Sequence, residues 1–182
     1  SSSTASSART EAVGAPRVRL EPVTVAQLDA LERGPEHLAT LLGVAVPEGW
    51  PEFPEAIGFT RDRLTRHPEQ AGWWMHLFFD ADSGELVGSG GFVGPPADGV
   101  VEIGYEIAPA MRGRGYGTAA ARALVIEAAA RPGVAQLLAH TLAQSNASVA
   151  VLARLGFRRD ADAIPSDDGP LWVWRRAAGA DA

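Results

Sequence analysis

The chain has 182 residues, 46% of them hydrophobic and 21% charged, with a formal net charge of −6. This is the balance of one globular domain with room for a proper core, and its sign argues against a general nucleic-acid binder, which needs a basic surface. Cysteine and lysine are both absent, all 16 basic residues being arginine, which excludes disulfides, thiolate catalysis, Schiff bases and a lysine-dependent phosphate loop.

Residues 1–16, SSSTASSARTEAVGAP, are small and polar without hydrophobic period, and are expected to form a disordered tail with no secretory signal. VRLEPVT (18–24) reads as a strand. TVAQLDALER follows as a helix, with Thr24 as N-cap and Gln27 at the capping-box position. GVAVPEGWPEFP (43–54) is a loop. Residues 54–68 form a second helix ending before Pro68. Residues 73–94 give two strands joined at Asp82-Ser83-Gly84, and GVVEIGYEIAP (99–109) gives another. The helix 117–133 is closed by Pro132-Gly133, then come a strand (134–143), a short helix (146–156) and two last strands, FRRDADAI and LWVWRR. The C-terminal residues 177–182 read as a flexible end. The order βααβββαβαββ, with no repeat, predicts one α/β or α+β domain over 17–176, a mixed sheet with helices packed on it. No run reaches the roughly 18 apolar residues of a membrane span, so no membrane partner and a cytoplasmic location are expected. His37, His67, His76 and His140 lack HxxxH spacing, and no metal is expected.

The most informative stretch is Arg112-Gly113-Arg114-Gly115-Tyr116-Gly117, between a strand and an alanine-rich helix. A helix N-terminus presents unpaired N–H groups and partial positive charge. Glycines ahead of it let a phosphate approach the backbone unobstructed. Three glycines alternating with arginines exceed what a bare turn requires, so a phosphate or pyrophosphate is expected on residues 112–118. Gly115-x-Gly117-x-x-Ala120 also fits a dinucleotide fingerprint, but that site needs an acid about twenty residues on. The stretch from Ala128 to Arg159 has none.

Arg112-x-x-Gly115-x-Gly117 after a strand ending IAP resembles the acyl-CoA loop of the GNAT superfamily of N-acetyltransferases. NASVAVLARLGF (146–157) resembles the N-x-x-S/A-x-x-V-L-x-x-x-G-F signature found one strand later in that family, with Ser148 at the second position after Asn146. That variant, EIGYEIAP and the opening VRLEPVTVAQLDAL are similar to the branch of ribosomal-protein-alanine acetyltransferases. The resemblance spans about residues 17–176. It implies a mostly antiparallel central sheet with helices on both faces and a V-shaped splay between strands 99–109 and 134–143, entered by the cofactor arm.

On this resemblance the ligand is acetyl-CoA. It implies backbone contacts from Glu106 and Ile107, a pyrophosphate on Arg112, Gly113, Arg114, Gly115, Tyr116, Gly117 and Thr118, and a contact from Asn146, which also suits a helix N-cap. An amine acceptor must lose its proton before attack, and a carboxylate can take it. Glu102 is the first candidate base, Glu106 the second and His140 the third. A solvated strand carboxylate remains the alternative for both acids. Ser148 is placed to reach the CoA sulfur. The family often uses a tyrosine four residues before Gly-Phe as general acid, and Leu152 stands there.

The acceptor, a small-molecule or peptide amine, is expected against an aromatic and acidic wall of Trp50, Phe53, Glu48, Glu52 and Glu55. The alternative is a capping loop whose aromatics join the core. One of Trp73 and Trp74 is expected in the core. A homodimer is compatible with the family. The competing functional class is a CoA-binding sensor or interaction module without turnover.

Overall fold

The computed structural model describes residues 14–180. All but the last three residues of the expected N-terminal tail, and residues 181–182, lie outside it. Strand β1 (Val18–Pro22) leads to α1 (Val25–Arg33). The capping box at its start is formed: Gln27 N–H donates to Thr24 Oγ1 at 3.1 Å and Thr24 N–H to Gln27 Oε1 at 2.9 Å. A helix not anticipated from the sequence follows, α2 (Pro35–Leu42). Its signals were present: Pro35 sits in the first turn and Gly43 closes it in the left-handed conformation, φ 72°. Helix α3 (Glu55–Arg66) ends before Pro68.

Strands β2 (Met75–Asp80), β3 (Leu86–Phe92) and β4 (Val100–Ile107) form a meander. Helix α4 (Tyr116–Ala129), β5 (Gln136–Leu142), α5 (Ala147–Arg154), β6 (Arg158–Arg159) and β7 (Leu171–Ala177) complete the chain. Of the predicted strand 157–164 only two residues pair as β6, with an isolated bridge from Ile164 to Leu171. The seven strands lie in the order β1-β2-β3-β4-β5-β7-β6. Every neighbouring pair is antiparallel except β4 and β5.

Strand alternation sends apolar residues to both faces. Phe78, Val101, Ile103 and Leu137 meet Leu124 of α4 and Leu152 of α5. On the other face Leu77, Phe79 and Leu86 meet Leu28, Leu38 and Ile57 of the first three helices. Leu152 is 1% exposed, so the position where the family often carries a tyrosine is here core. The C-terminal end is more ordered than its composition suggests. Ala178 is buried, and the Arg176 guanidinium donates to Ala180 O at 2.7 Å. No helix among the described residues is long and apolar enough to cross a membrane.

Candidate active site

The sheet opens where the site lies. β4 and β5 pair only from Val100↔Gln136 to Ile103↔Ala139, yet β4 runs on to Ile107 and β5 to Leu142. Val93 N–H donates to Glu102 C=O and Ala108 N–H donates to Val87 C=O. Even-numbered residues of β4 therefore turn their backbone toward β3, and Tyr105 and Ile107 turn theirs toward the gap. This corrects one expectation. Ile107 turns its backbone to the gap, but Glu106, also expected to offer its backbone, turns that to β3 and presents only its side chain.

The glycine loop closes one end of the gap. Gly113 and Gly115 adopt φ 75° and 87°, which non-glycine residues rarely tolerate. Gly115 is the N-cap of α4 and no side chain caps that helix, so its first N–H groups stay unpaired. Gly117 is different: its φ is helical, and an added Cβ would meet Val151, Ile107 and Tyr105 only at 3.9–4.0 Å. A groove of about 590 Å³ brings together Ile107, Arg112, Gly113, Gly115, Gly117 and Thr118 of the loop side. Asn146 and Ser148 of α5 form its facing wall. Asn146 is the N-cap: its Oδ1 accepts from Val149 N–H at 3.1 Å and its Nδ2 donates to Gln144 O at 3.2 Å.

Three loop residues are already engaged. Arg112 Nε donates to Ile107 O at 3.0 Å, and its terminal nitrogen meets Glu52 Oε1 at 2.7 Å. Arg114 faces away from the groove, into a depression shared with Asp80. The Tyr116 ring is buried and its hydroxyl donates to Asp80 Oδ2 at 2.7 Å, so burial first and then this bond push its pKa up to about 12. It anchors the loop to β2. Arg154, in the last turn of α5, also lines the groove. It was overlooked in the sequence, although Asn146, Ala150 and Arg154 recur at a spacing of four, one helix face.

A second, apolar cavity of about 280 Å³ adjoins the groove, and the two share Phe53, Tyr105 and Glu106. Glu106 sits at the junction. Glu52 N–H donates to its Oε2 at 3.2 Å and Ser89 Oγ approaches its Oε1 at 3.4 Å. Trp50 Nε1 in turn donates to Ser89 Oγ at 3.0 Å. Burial raises the Glu106 pKa, reinforced by the neighbouring Glu52 charge and opposed by the Glu52 N–H, Ser89 and Arg112. Glu102 lines neither cavity; its Oε1 lies 2.7 Å from His140 Nδ1.

The acidic wall does not form. Trp50 is 4% exposed and belongs to the core, where it orients Ser89. Glu52 is turned to Arg112, and neither Glu48 nor Glu55 lines the cavity or the groove. Phe53 remains exposed on the walls of both, and Trp74 is the core tryptophan of its pair.

Tyr105 was not singled out in the sequence. Its hydroxyl is buried and makes no hydrogen bond within normal geometry. Burial pushes its pKa up to about 12, and Ser148, the polar side chain beside it, partly offsets this. Among the described residues no group of three or more His, Asp and Glu side chains could hold a metal.

A splayed mixed sheet with a glycine loop and an Asn-capped helix facing the gap defines a GNAT-like fold. A family profile described as an acetyltransferase (GNAT) domain matches residues 17–158, and the chain belongs to that family. It is 31% identical over 144 residues to an uncharacterized N-acetyltransferase, YjdG, of Bacillus subtilis (strain 168), covering 78% of this chain and 86% of the relative. RimL, a ribosomal L7/L12 alpha-N-protein acetyltransferase solved with coenzyme A, matches with a TM-score of 0.65 at 20% identity, covering 91% of this chain and 96% of its own. Mutant forms of the spermidine/spermine N-acetyltransferase SpeG from Vibrio cholerae match with a TM-score of 0.62 at 13% identity, covering 89% and 94%. These two likenesses are of fold, and they do not select a branch of the family.

Proposed function

We propose that the protein transfers the acetyl group of acetyl-CoA to a primary amine by direct attack within a ternary complex. The observation that carries this is the junction of the two cavities at Glu106. Donor and acceptor can enter from different sides and meet at a carboxylate whose pKa is raised. The motifs around Asn146 and Ser148 favour the ribosomal-protein-alanine branch, and with it a peptide N-terminus or a small amine as acceptor.

The residues fit acetyl-CoA. The uncapped N–H groups of α4 and the open faces of Gly113 and Gly117 suit a pyrophosphate, and Thr118 adds a hydroxyl. Arg154 supplies a cation on the same wall. The Tyr105 backbone and the Ile107 N–H turn toward the gap and suit an extended amide-bearing arm, while the Ile107 carbonyl already accepts from Arg112 Nε. Acetyl-CoA supplies a thioester carbon as electrophile and a thiolate as leaving group.

Glu106 takes a proton from the acceptor ammonium, leaving the nitrogen lone pair free to form the C–N bond. Ile107 N–H donates to the carbonyl oxygen as charge develops there. When the C–S bond breaks, Tyr105 Oη, with Ser148 beside it, donates a proton to the sulfur, and the second proton lost by the acylated nitrogen restores the tyrosine hydroxyl. The balance is one amide, one CoA thiol and one proton released. Glu102, held by His140 beside the splay, is assigned a positioning role.

The test is thiol release from acetyl-CoA with a panel of primary amines. Release that depends on amine supports the transferase. Tight acetyl-CoA binding with no release on any amine would leave the non-catalytic binding module.

A further inference from the structure

The cavity on the acceptor side is not built for a polycation. It lies between α3 and the glycine-rich floor of β3 and β4. Its walls are Phe53, Ile57, Phe59, Trp74, Phe92 and Val93, and its one carboxylate, Glu106, stands at the end that opens on the groove. Of the carboxylates of the 43–54 loop, Glu48 lines neither space, and Glu52, on the groove beside Glu106, is held by Arg112. Its volume of about 280 Å³ exceeds the ~150 Å³ of an apolar cavity that holds one benzene ring.

We infer that the acceptor is a primary amine carrying a neutral, ring-sized apolar group on the carbon chain next to the nitrogen. The inference rests on the transferase reading above and names the substrate class of that same site. The apolar group enters between Phe59 of α3 and the strand floor, which leaves the amine nitrogen at Glu106 and the acetyl donor. A single ammonium is matched by Glu106 at the mouth, where the neighbouring Glu52 carboxylate is already paired with Arg112. A second cationic centre, as in a polyamine, would meet the Arg63 guanidinium already lying over the Phe59 and Trp74 rings, with no further carboxylate on the cavity walls to receive it. An arylalkylamine, an amino-acid amide or a polypeptide beginning with an aromatic residue all present this chemistry.

The floor provides the variant. Gly104 lines the cavity, shares the Glu106 face of its strand, and has nothing within 4 Å of an added Cβ. Gly104→Val would place its side chain in the acceptor space, with open room at its Cβ, and Gly104 is not part of the acetyl-CoA groove.

The experiment measures thiol release with 2-phenylethylamine, phenylalaninamide, a hexapeptide beginning with Phe, glycinamide and spermidine. Burial of one aromatic group predicts kcat/KM roughly 10- to 100-fold higher for the ring-bearing amines than for glycinamide or spermidine. Gly104→Val should remove most of that advantage, mainly through KM, with acetyl-CoA affinity unchanged by calorimetry. The ratio between the free amines and the hexapeptide distinguishes a small-molecule source from a protein N-terminus. Spermidine or glycinamide matching the ring-bearing amines would overturn the inference and leave the transferase standing, as would an unaltered preference in Gly104→Val. No release with any amine would overturn the transferase reading and this inference with it.

Discussion

Glu106→Gln separates the chemistry from the scaffold. The replacement keeps the shape of the side chain, and its amide oxygen can still accept from Glu52 N–H while its amide nitrogen faces Ser89 Oγ. The fold and the acetyl-CoA groove should therefore persist. What disappears is the proton acceptor at the junction of the two cavities. Loss of a general base costs ~10²–10⁴ in rate, or about 3–5 kcal/mol of barrier at 1.36 kcal/mol per decade. In the wild type, kcat/KM should rise with pH through an apparent pKa above the ordinary carboxylate value, because burial holds the Glu106 pKa up. In Glu106→Gln that limb should vanish. Activity should then climb only as the amine deprotonates unaided, near ~8 for an α-amine, so the deficit narrows at high pH.

The stability sign is opposite to the catalytic one. With its folded pKa raised, Glu106 stabilises the protein below its unfolded pKa and loses that contribution as pH rises through the folded value. At neutral pH Glu106→Gln should melt no lower than the wild type. A near-wild-type rate in Glu106→Gln beside a disabled Glu102→Gln would show that the base is Glu102 and that the assignment rests on the wrong carboxylate.

Tyr105→Phe should slow turnover ~10²–10⁴-fold without weakening acetyl-CoA binding, and its Tm should change little, since the hydroxyl it removes is buried without a hydrogen bond of normal geometry; a lower Tm with normal turnover would make Tyr105 structural. His76 is fully buried and desolvation lowers its pKa. The folded protein then resists protonating it while the unfolded chain accepts a proton below ~6.5. Stability measured by denaturant should fall as pH drops below that value, less steeply in His76→Gln, and equal slopes would contradict this. Thr24→Ala should cost about 1 kcal/mol through loss of the capping box, read as a shifted denaturation midpoint, with acetyl-CoA affinity unchanged.

The cofactor side of the site was legible in the sequence because its signals are local. Gly113 and Gly115 precede a helix and Gly117 lies in its first turn, Asn146 caps the next helix, and the family resemblance implied that the two meet at one groove, which they line. The acceptor side was not legible for the opposite reason. Glu102 and Glu106 occupy the same strand face, and period two cannot rank them. They are separated by a loop about fifty residues away, whose Glu52 N–H and Trp50-held Ser89 engage one carboxylate, while His140 engages the other. Trp50 read as a wall because it sits between prolines and acids, and only the packing of α1–α3 shows it buried. Tyr105 lies inside EIGYEIAP, but nothing in that stretch marks its hydroxyl, and its position between two cavities exists only in the folded chain. Helix α2 was legible and overlooked, its Pro35 and Gly43 marking both ends.

The central claim, that acetyl-CoA lies on the glycine loop at the start of α4, is tested most directly by titrating acetyl-CoA into Gly117→Val by calorimetry, with the melting temperature measured alongside. Gly117 is the informative glycine, because its helical φ tolerates a side chain that Gly113 and Gly115 would resist. Its added carbons would project toward the groove that receives the pyrophosphate. The account predicts a melting temperature close to wild type and acetyl-CoA binding reduced below detection. Wild-type affinity in a folded Gly117→Val would contradict it.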